Sequence, residues 1–518
     1  MKALLVVLAA AALLRLAPAV RQELWADELF SLAVATGHSL EHPADAAVPA
    51  LGDFVEPPQA VAPDVFRRYL EHDTPPAGAG RVVRAVLLSD TSPPLYYLML
   101  AGWTRLFGTG DLALHLCSVL WALATMPLLW LVGRRIAGPR VALLACILFA
   151  LAPVGIYYAV EARMYALLWF LSTLTAWLTF RLHDRGGTGL LSLWCLVAAA
   201  GFLTHYFYAF VWAACVLWLV LRPGRCPRIA VAAAVVMTAA LVFPWYRLLP
   251  DSLARWRVTG HWLDGLPPPA DLLKAPIKLG WGLVSGHGQW RPPGWTDKAA
   301  AVLVLLAGVA LLRRGRRAVL GQGRELVWLW VLAACVGPVV FDLSRGTFTS
   351  LINRYALAGF PAAMLLVALA LSALRPRIAA GALALLVVLW TPGLVSVVGS
   401  RQHTGESYSE SARAVGRWSR PGDLVLVHSI PSGVLGVARY LEADLPMAAW
   451  VGQLGRRRVP DDIEALVAGR PRVAFVRVHD VGEPAPEEDW LRAHASLLGE
   501  RRIGSASVAY FRLTPVRR

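Results

Sequence analysis

Two adjacent acids, Asp27 and Glu28, follow directly on the first apolar run of the chain, in the stretch LWADELFSLAVATG. An ionised carboxylate at a membrane boundary loses part of its hydration, so its presence there needs a reason. The structural reason would be a solvated cap, since an acid near the N-terminus of the helix ELFSLAVAT favours the helix dipole. The chemical reason would be general-base catalysis, in which a positioned carboxylate takes a proton from a reacting group. Position alone leaves both open.

Four further stretches contain side chains that could bind a charged or polar substrate. They are SDTSPPLYYLML with Asp90, YYAVEARMYALL with Glu161, Arg163 and Tyr165, FLTHYFYAF with His205 and Tyr206, and LINRYALAGFP with Arg354 and Tyr355. A guanidinium group recognises phosphate through two parallel hydrogen bonds, so Arg163 is suited to a lipid phosphate. The structural alternatives are a Glu161–Arg163 ion pair, a hydrogen-bonded core histidine at His205, and an Arg354 side chain that reaches the membrane interface.

The elements that must position these residues are apolar runs of membrane-spanning length. Of the 518 residues, 57% are hydrophobic and 16% are charged, whereas a soluble protein carries about 25% charge. Eleven runs predict a multi-pass helical membrane protein. They cover residues 3–20, 112–133, 140–157, 163–181, 189–204, 206–221, 229–247, 298–312, 326–342, 355–374 and 378–398.

Arginine clusters between these runs fix the topology. They lie at 134–140, 181–185, 222–228, 313–324 and 375–377. If the short apolar stretch 93–107 lies flat at the surface and does not cross, all five clusters fall on the side of the N-terminus, which is then cytoplasmic. The net charge of +16 is therefore a topology signal, and no nucleic-acid partner is expected.

This topology places the polar chemistry on the outer face. The first outer loop, 21–111, holds eleven acids and five arginines between Arg21 and Asp111. The outer loop 248–297 is rich in Trp, Gly and Pro, which suits it to cover a site and stack on sugar rings. The predicted domains are a transmembrane domain at 1–400 and an extracytoplasmic α/β domain at 401–518. In the latter, strands are predicted at DLVLVHS, RVAFVRVH and SVAYFRL and helices at 406–418 and 487–497.

The ordered motifs resemble a known family. The order LWADE, DTSPPLYYL, GRRIAG, EARMYAL, HYF, FPW and NRYALAGFP is similar to bacterial integral-membrane glycosyltransferases of family 39, which include relatives of protein O-mannosyltransferases and of the aminoarabinose transferase. The resemblance covers about residues 20–365. Two positions depart from the family pattern: Ser92 stands where a histidine is common before the Pro-Pro pair, and His115 stands where an arginine is common.

The resemblance implies a GT-C fold of 11 to 13 spans and an active site on the extracytoplasmic side of the plasma membrane. It implies a polyprenyl-phosphate sugar as donor and a hydroxyl group on a protein, lipid or glycan as acceptor. The proposed catalytic base of the family falls on Asp27, with Glu28 beside it. Arg163 and Arg354 would then hold the leaving phosphate, and a divalent cation is left open as a cofactor.

A multi-span transporter or flippase of lipid-linked sugars is the alternative function. It would require ionisable residues near the middle of the spans and often inverted repeats. Arg15 and His115 are the main ionisable residues inside the predicted spans, and the sequence contains no internal repeat. A purely structural scaffold would leave the acids on one face unexplained.

Overall fold

The computed structural model describes residues 2–90, 92–285, 294–401, 405, 407–479 and 484–513. Contacts divide the chain into two units. The helical unit comprises Met1–Arg21, Leu114–Leu248 and His261–Ser400, and the mixed unit comprises Gln22–Ala113, Leu249–Gly260 and Arg401–Arg518.

Twenty-three α-helices occur in the described residues. In the first half of the chain they are α1 (Lys2–Arg21), α2 (Ala26–Ala35), α3 (Asp64–Arg67), α4 (Ala79–Ser89), α5 (Leu95–Phe107), α6 (Asp111–Ala137), α7 (Pro139–Leu151), α8 (Pro153–Val160), α9 (Tyr165–Arg185), α10 (Thr188–Phe202), α11 (Tyr208–Leu221) and α12 (Arg228–Tyr246). In the second half they are α13 (Leu249–Leu253), α14 (Pro269–Val284), α15 (Trp295–Arg313), α16 (Arg316–Leu320), α17 (Arg324–Arg345), α18 (Phe360–Ser372), α19 (Pro376–Gly399), α20 (Tyr408–Trp418), α21 (Pro431–Tyr440), α22 (Asp461–Val467) and α23 (Pro486–His494).

Each of the eleven predicted spans coincides with a helix or a helix pair of the helical unit. Among the described residues, seven helices are long and apolar enough to cross a membrane, or eight if the bent pair α7–α8 counts as one span. Helices α10 and α11 are shorter, with 15 and 14 residues, or about 22 Å at 1.5 Å per residue. The turn between them contains His205, so irregular backbone occurs where a site residue was predicted.

The five arginine clusters meet through direct contacts within the helical unit. Arg135 binds both carboxylate oxygens of Asp184 at 2.7 and 2.8 Å, and Arg222 pairs with Glu325 at 2.5 Å. Two further contacts complete the set, from Arg324 to the Ile136 carbonyl and from Arg314 to the Ala373 carbonyl. All five clusters therefore lie at one end of the unit, as the positive-inside rule requires of a single membrane side.

A break between α7 and α8 is stabilised by the buried Arg15 of α1. The two helices are bent by 62°, because Ala152 is extended and Pro153 opens α8. Arg15 is fully buried, and its guanidinium donates to four backbone carbonyls at 3.0–3.5 Å, those of Ala11, Phe149, Ala150 and Gly155. The carbonyls of Phe149 and Ala150 lie in the last turn of α7, where the break leaves them without helical donors, so in an apolar environment the guanidinium satisfies them. Arg15 therefore has a structural role inside the first span.

The tail of the mixed unit contains a five-stranded sheet. Its strands are β1 (Leu424–His428), β2 (Met447–Trp450), β3 (Arg472–Arg477), β4 (Ala495–Ile503) and β5 (Ala506–Leu513), in the order β2-β1-β3-β5-β4. Strand β1 is parallel to β2 and β3, whereas β3-β5-β4 is antiparallel. The sequence indicated three or four strands. It missed β2, which is only four residues long, and it assigned the start of β4 to a helix ending at 497.

The first loop belongs to the same unit as the tail. Helix α5 corresponds to the stretch 93–107; its 13 residues reach about 20 Å, too short to cross a bilayer core of about 30 Å. A β-bridge joins Val61 of the first loop to Met447 of β2. All three segments of the mixed unit come from regions that the predicted topology places on one side of the membrane. One boundary between the units lies between Ser400 and Arg401; the division into domains 1–400 and 401–518 stays a prediction.

The predicted outer loop 248–297 contains two helices, α13 and α14. Helix α13 lies in the mixed unit and α14 in the helical unit. Residues 286–293 of this loop, which include Trp290, lie outside the described residues.

Candidate functional site

Asp27 and Glu28 have different environments within the mixed unit. The Glu28 side chain is fully buried, and its Oε2 accepts a hydrogen bond from the Trp25 backbone N–H at 3.1 Å. This contact caps the N-terminus of α2, which is the structural role that the sequence left open. Asp27 is partly exposed at the second position of the same helix. Of the two acids, Asp27 is therefore the one accessible to a substrate.

Asp90 lies at the junction between α4 and α5. Its Oδ1 accepts from the Ser92 backbone N–H at 2.9 Å, and its Oδ2 accepts from the hydroxyl of the buried Tyr97. Helix α2 packs against both α4 and α5. The mixed unit therefore places Asp90 beside the helix layer that contains Asp27. Ser92, one of the two departures from the family pattern, contributes a backbone donor to this turn.

Glu41 is a buried acid near Asp90 that the sequence interpretation did not single out. Its Oε2 accepts from the backbone N–H and the hydroxyl of Thr259, at 2.6 and 2.8 Å. Burial raises the pKa of Glu41 to about 7, although the Thr259 hydrogen bonds oppose the shift; the nearby Asp90 adds to it. Such a carboxyl group can exchange a proton near neutral pH. Glu41 is a single acid within the stretch GHSLEHP, and no sequence pattern marks it as a buried residue.

The segment 249–260 is bound to the first loop by a second set of contacts. The Arg257 guanidinium donates to the carbonyls of Ser252 and Leu87 at 2.7 and 3.2 Å, and the Ser252 hydroxyl also donates to Leu87 at 2.9 Å. Leu87 lies three residues before Asp90. The segment is therefore attached directly to the helix end that positions Asp90.

Within the helical unit, five side chains from four separate stretches form one aromatic and cationic cluster. The Tyr165 ring lies 6.1 Å from the His205 ring, and His205 lies 6.5 Å from the Tyr355 ring, measured between centroids. The Arg354 guanidinium lies 5.1 Å from the centre of the Trp262 ring and 5.6 Å from that of Tyr355. These contacts bring together residues predicted from three separate stretches. Trp262 was expected only as one of several tryptophans in the loop 248–297.

Glu161 and Arg163 lie in the turn between α8 and α9 and are both buried, with 1% and 9% of their surfaces exposed. The ring of the buried Tyr158 lies 5.1 Å from that of Tyr165, measured between centroids. The Arg163 carbonyl accepts from the Ser118 hydroxyl of α6 at 3.5 Å. A buried guanidinium at a helix break is suited to an anionic ligand. The tyrosine at 158 was not singled out from the sequence.

Two further residues named from the sequence, Tyr206 and His115, contact other parts of the helical unit. The Tyr206 ring lies 5.9 Å from the ring of Tyr246 on α12. His115, the second departure from the family pattern, has its Nδ1 2.9 Å from the Ala19 carbonyl and so ties α6 to the end of α1. The prediction that Asp27, Asp90, Glu161, Arg163, His205 and Arg354 converge around a single cavity stays a prediction.

No group of three or more His, Cys, Asp or Glu side chains in the described part of the chain could hold a metal ion. No chemical step below is assigned to a divalent cation.

Comparison with known proteins identifies the fold. Residues 91–246 match the family model described as dolichyl-phosphate-mannose-protein mannosyltransferase. The crystal structure of ArnT from Cupriavidus metallidurans bound to undecaprenyl phosphate is similar with a TM-score of 0.57 and 15% identity, over 98% of this chain and 97% of that one. The apo structure of the same ArnT gives a TM-score of 0.54 and 14% identity, over 92% and 95% of the two chains. No curated protein sequence matches the chain.

The matched segment begins one residue after Asp90 and contains the Pro-Pro helix, Glu161, Arg163 and His205, so the family model and part of the predicted site overlap in sequence. The structural match extends over the tail as well. The chain is a multi-pass membrane protein with the GT-C fold.

Proposed function

We propose that the protein transfers a sugar from a polyprenyl-phosphate donor to a hydroxyl group of an acceptor, on the extracytoplasmic side of the plasma membrane. The observation that carries this proposal is the match, over nearly the whole chain, to a protein solved with undecaprenyl phosphate. The chain's own residues add to it, because the mixed unit exposes a carboxylate and the helical unit gathers arginines and aromatic rings.

Asp27 acts as the general base in this proposal. It removes the proton of the acceptor hydroxyl while the acceptor oxygen attacks the anomeric carbon of the donor sugar. The bond between that carbon and the phosphate oxygen breaks, and polyprenyl phosphate leaves with the electron pair. A single direct displacement inverts the anomeric centre. Glu28 supports Asp27 by fixing the start of α2.

The cationic groups of the helical unit bind the leaving group. Arg163 and Arg354 offer planar donor pairs to phosphate oxygens, and fixed donors stabilise charge that develops as the sugar–phosphate bond breaks. The same cluster contains the rings of Tyr165, His205 and Tyr355, which are suited to pack against a sugar face. Asp90 and Glu161 are assigned to binding the sugar or the acceptor through its hydroxyl groups.

A transporter or flippase of lipid-linked sugars is disfavoured by the partners of Arg15 and His115. Both residues lie inside spans, and both contact backbone carbonyls at helix ends or breaks. These contacts give them structural roles in the fold, whereas a transport pathway would use them to line a polar route.

The test is donor turnover by the purified protein. It is incubated with a panel of undecaprenyl-phosphate sugars and membrane extract as the source of acceptor, and released undecaprenyl phosphate is measured. Release that requires both donor and acceptor supports the proposal. Movement of intact donor across proteoliposomes without release would identify the transporter instead. The variant Arg163→Ala should weaken binding of undecaprenyl phosphate, whereas Arg140→Ala, an exposed arginine in the first cluster, should leave it unchanged.

A further inference from the structure

We propose that the tail domain positions the helix that bears Asp27, and that Tyr440 and Gly436 are positioning residues for catalysis. The importance of Asp27 rests on the proposed function above. The positioning itself rests on contacts within the mixed unit, between the segment Gln22–Ala35 and the helices α20 and α21.

The first contact joins the entry of α2 to the end of α21. The Leu24 backbone N–H donates to the Tyr440 hydroxyl at 2.8 Å, and that hydroxyl donates to Oδ2 of Asp111 at 2.7 Å. Arg439 binds the other oxygen of Asp111 through Nε and Nη2 at 2.9 and 2.7 Å. Burial and the Asp111 carboxylate raise the pKa of Tyr440 above its ordinary range, so its hydroxyl keeps the proton that it donates.

The second contact joins the same segment to the start of α20. The Glu23 backbone N–H donates to the Arg401 carbonyl at 3.0 Å, and Oε2 of Glu23 accepts from the Ser409 N–H at 2.8 Å. Glu23 is 6% exposed. Two consecutive residues, three and four positions before Asp27, are thus bound to the tail through their backbones.

The third contact is close packing between α2 and α21. A Cβ atom added to Gly436 would lie 2.8 Å from the Tyr408 ring and 2.9 Å from Cδ1 of Leu29. Leu29 is fully buried and lies two residues after Asp27. A side chain at position 436 must therefore displace the Tyr408 ring and the Leu29 side chain, and through them it loosens the packing of α2 against α21.

These contacts restrain a short helix at its N-terminal end and along one face. Helix α2 has ten residues, so it moves as one body, and a shift at Leu24 or Leu29 also shifts the Asp27 carboxylate. A misplacement of about 1 Å at a catalytic group can cost about 10²-fold in rate. The tail domain thus has a catalytic consequence without contributing a reacting group.

The experiment uses two substitutions in the full-length protein, each with a matched control. Gly436→Ala is compared with Gly416→Ala, where an added Cβ would meet only Ala443 at 3.9 Å. Tyr440→Phe is compared with Tyr510→Phe, whose ring lies 4.2 Å from that of Trp418 in the same domain. Amide hydrogen exchange of residues 24–35 is measured together with kcat and KM for release of undecaprenyl phosphate.

We expect Gly436→Ala and Tyr440→Phe to accelerate exchange in α2 and to lower kcat by about tenfold or more, with the donor KM within about twofold of wild type. The controls should match wild type in both measurements. Unchanged exchange in α2 for both variants would overturn the positioning role even if kcat fell. Altered exchange with unchanged kcat would overturn its catalytic consequence. If the wild-type protein releases no undecaprenyl phosphate from any donor, the proposed function fails, whereas the exchange data still decide whether the tail holds α2.

Discussion

The helical and mixed units handle buried polar groups in opposite ways. In the helical unit, Arg15 and His115 reach backbone carbonyls at a bend and a helix end, and Trp169 and Trp330 donate to the carbonyls of Leu357 and Ala358. In the mixed unit, buried or partly buried carboxylates pair with arginines that lie far away in the sequence. The pairs include Asp53 with Arg84, Glu56 with Arg457, Asp111 with Arg439 and Asp423 with Arg472.

The difference follows from the surroundings of each unit. Spanning helices satisfy their own backbone, so side-chain donors are needed only where a helix breaks. The mixed unit is assembled from separate segments of the chain. Charged pairs such as Glu56–Arg457 and Asp111–Arg439 join the first loop to the tail. The helical unit therefore uses polar groups to permit irregular backbone, and the mixed unit uses them to join segments.

The largest stability effect is expected at the bend between α7 and α8. Arg15→Leu removes the guanidinium donor to the Phe149 and Ala150 carbonyls at the end of α7, and an unsatisfied buried acceptor costs about 1–3 kcal/mol. We expect a destabilisation of roughly 3 kcal/mol or more, measured from the unfolding midpoint in detergent. Arg15→Lys should recover only part of it, because an ammonium group lacks the planar fork. Leu16→Ala, at a 42% exposed position of the same helix, is the control. An Arg15→Leu midpoint equal to that control would contradict the role assigned to Arg15.

The next effect is expected at Glu41 and depends on pH. Its folded-state pKa of about 7 exceeds the ordinary value of 4.5 for a glutamate, so the folded protein binds the proton more tightly than the unfolded chain. Its contribution to stability is present below pH 4.5 and is lost as the pH rises through 7. Glu41→Gln should remove this loss and stabilise the protein at pH 8 by on the order of 2 kcal/mol. Unfolding midpoints from pH 4.5 to 8 test this, and parallel curves for the variant and the wild type would refute it.

A smaller effect is expected at the Asp53–Arg84 pair. Arg84 binds Asp53 through two hydrogen bonds at 2.6 and 2.8 Å, and Asp53 is 1% exposed. Arg84→Met leaves this carboxylate with only the Ser39 hydroxyl and the Val48 N–H as donors. Because Arg84 is 29% exposed and water can partly replace it, we expect a loss of about 1 kcal/mol. Arg84→Met combined with Asp53→Asn should recover part of that loss; a double variant less stable than the single one would show that the pair is not the cause.

The helical unit was largely predictable from the sequence, and the mixed unit was not. Apolar runs and arginine clusters are local signals, so they locate spans such as α6 and indicate that α5 does not cross. The first loop, the segment 249–260 and the tail form one unit through long-range contacts. An example is the hydrogen bond between Leu24 and Tyr440, which lie hundreds of positions apart in the sequence. No local pattern encodes such contacts. Strand β4 was missed because it is an exposed edge strand whose polar residues lack alternation.

The candidate site shows the same division. His205 and Arg354 were found because they interrupt apolar runs, and an interruption is visible in the sequence. Glu41 and Tyr158 were missed because nothing distinguishes an acid among polar residues or a tyrosine in an aromatic stretch. The distinct roles of Asp27 and Glu28 depend on which carboxylate faces the Trp25 N–H, and only the structure shows that.

The most direct test of the account is single-turnover sugar transfer by Asp27→Asn, alongside binding of undecaprenyl phosphate. The substitution keeps the size of the side chain and removes the base. A positioned general base contributes about 10²–10⁴-fold, so transfer should fall by at least about 10²-fold while binding of undecaprenyl phosphate stays within about twofold of wild type. Glu28→Gln, which retains a carbonyl oxygen for the Trp25 N–H, should reduce transfer far less. Transfer by Asp27→Asn at the wild-type rate would contradict the assignment of Asp27 as the base.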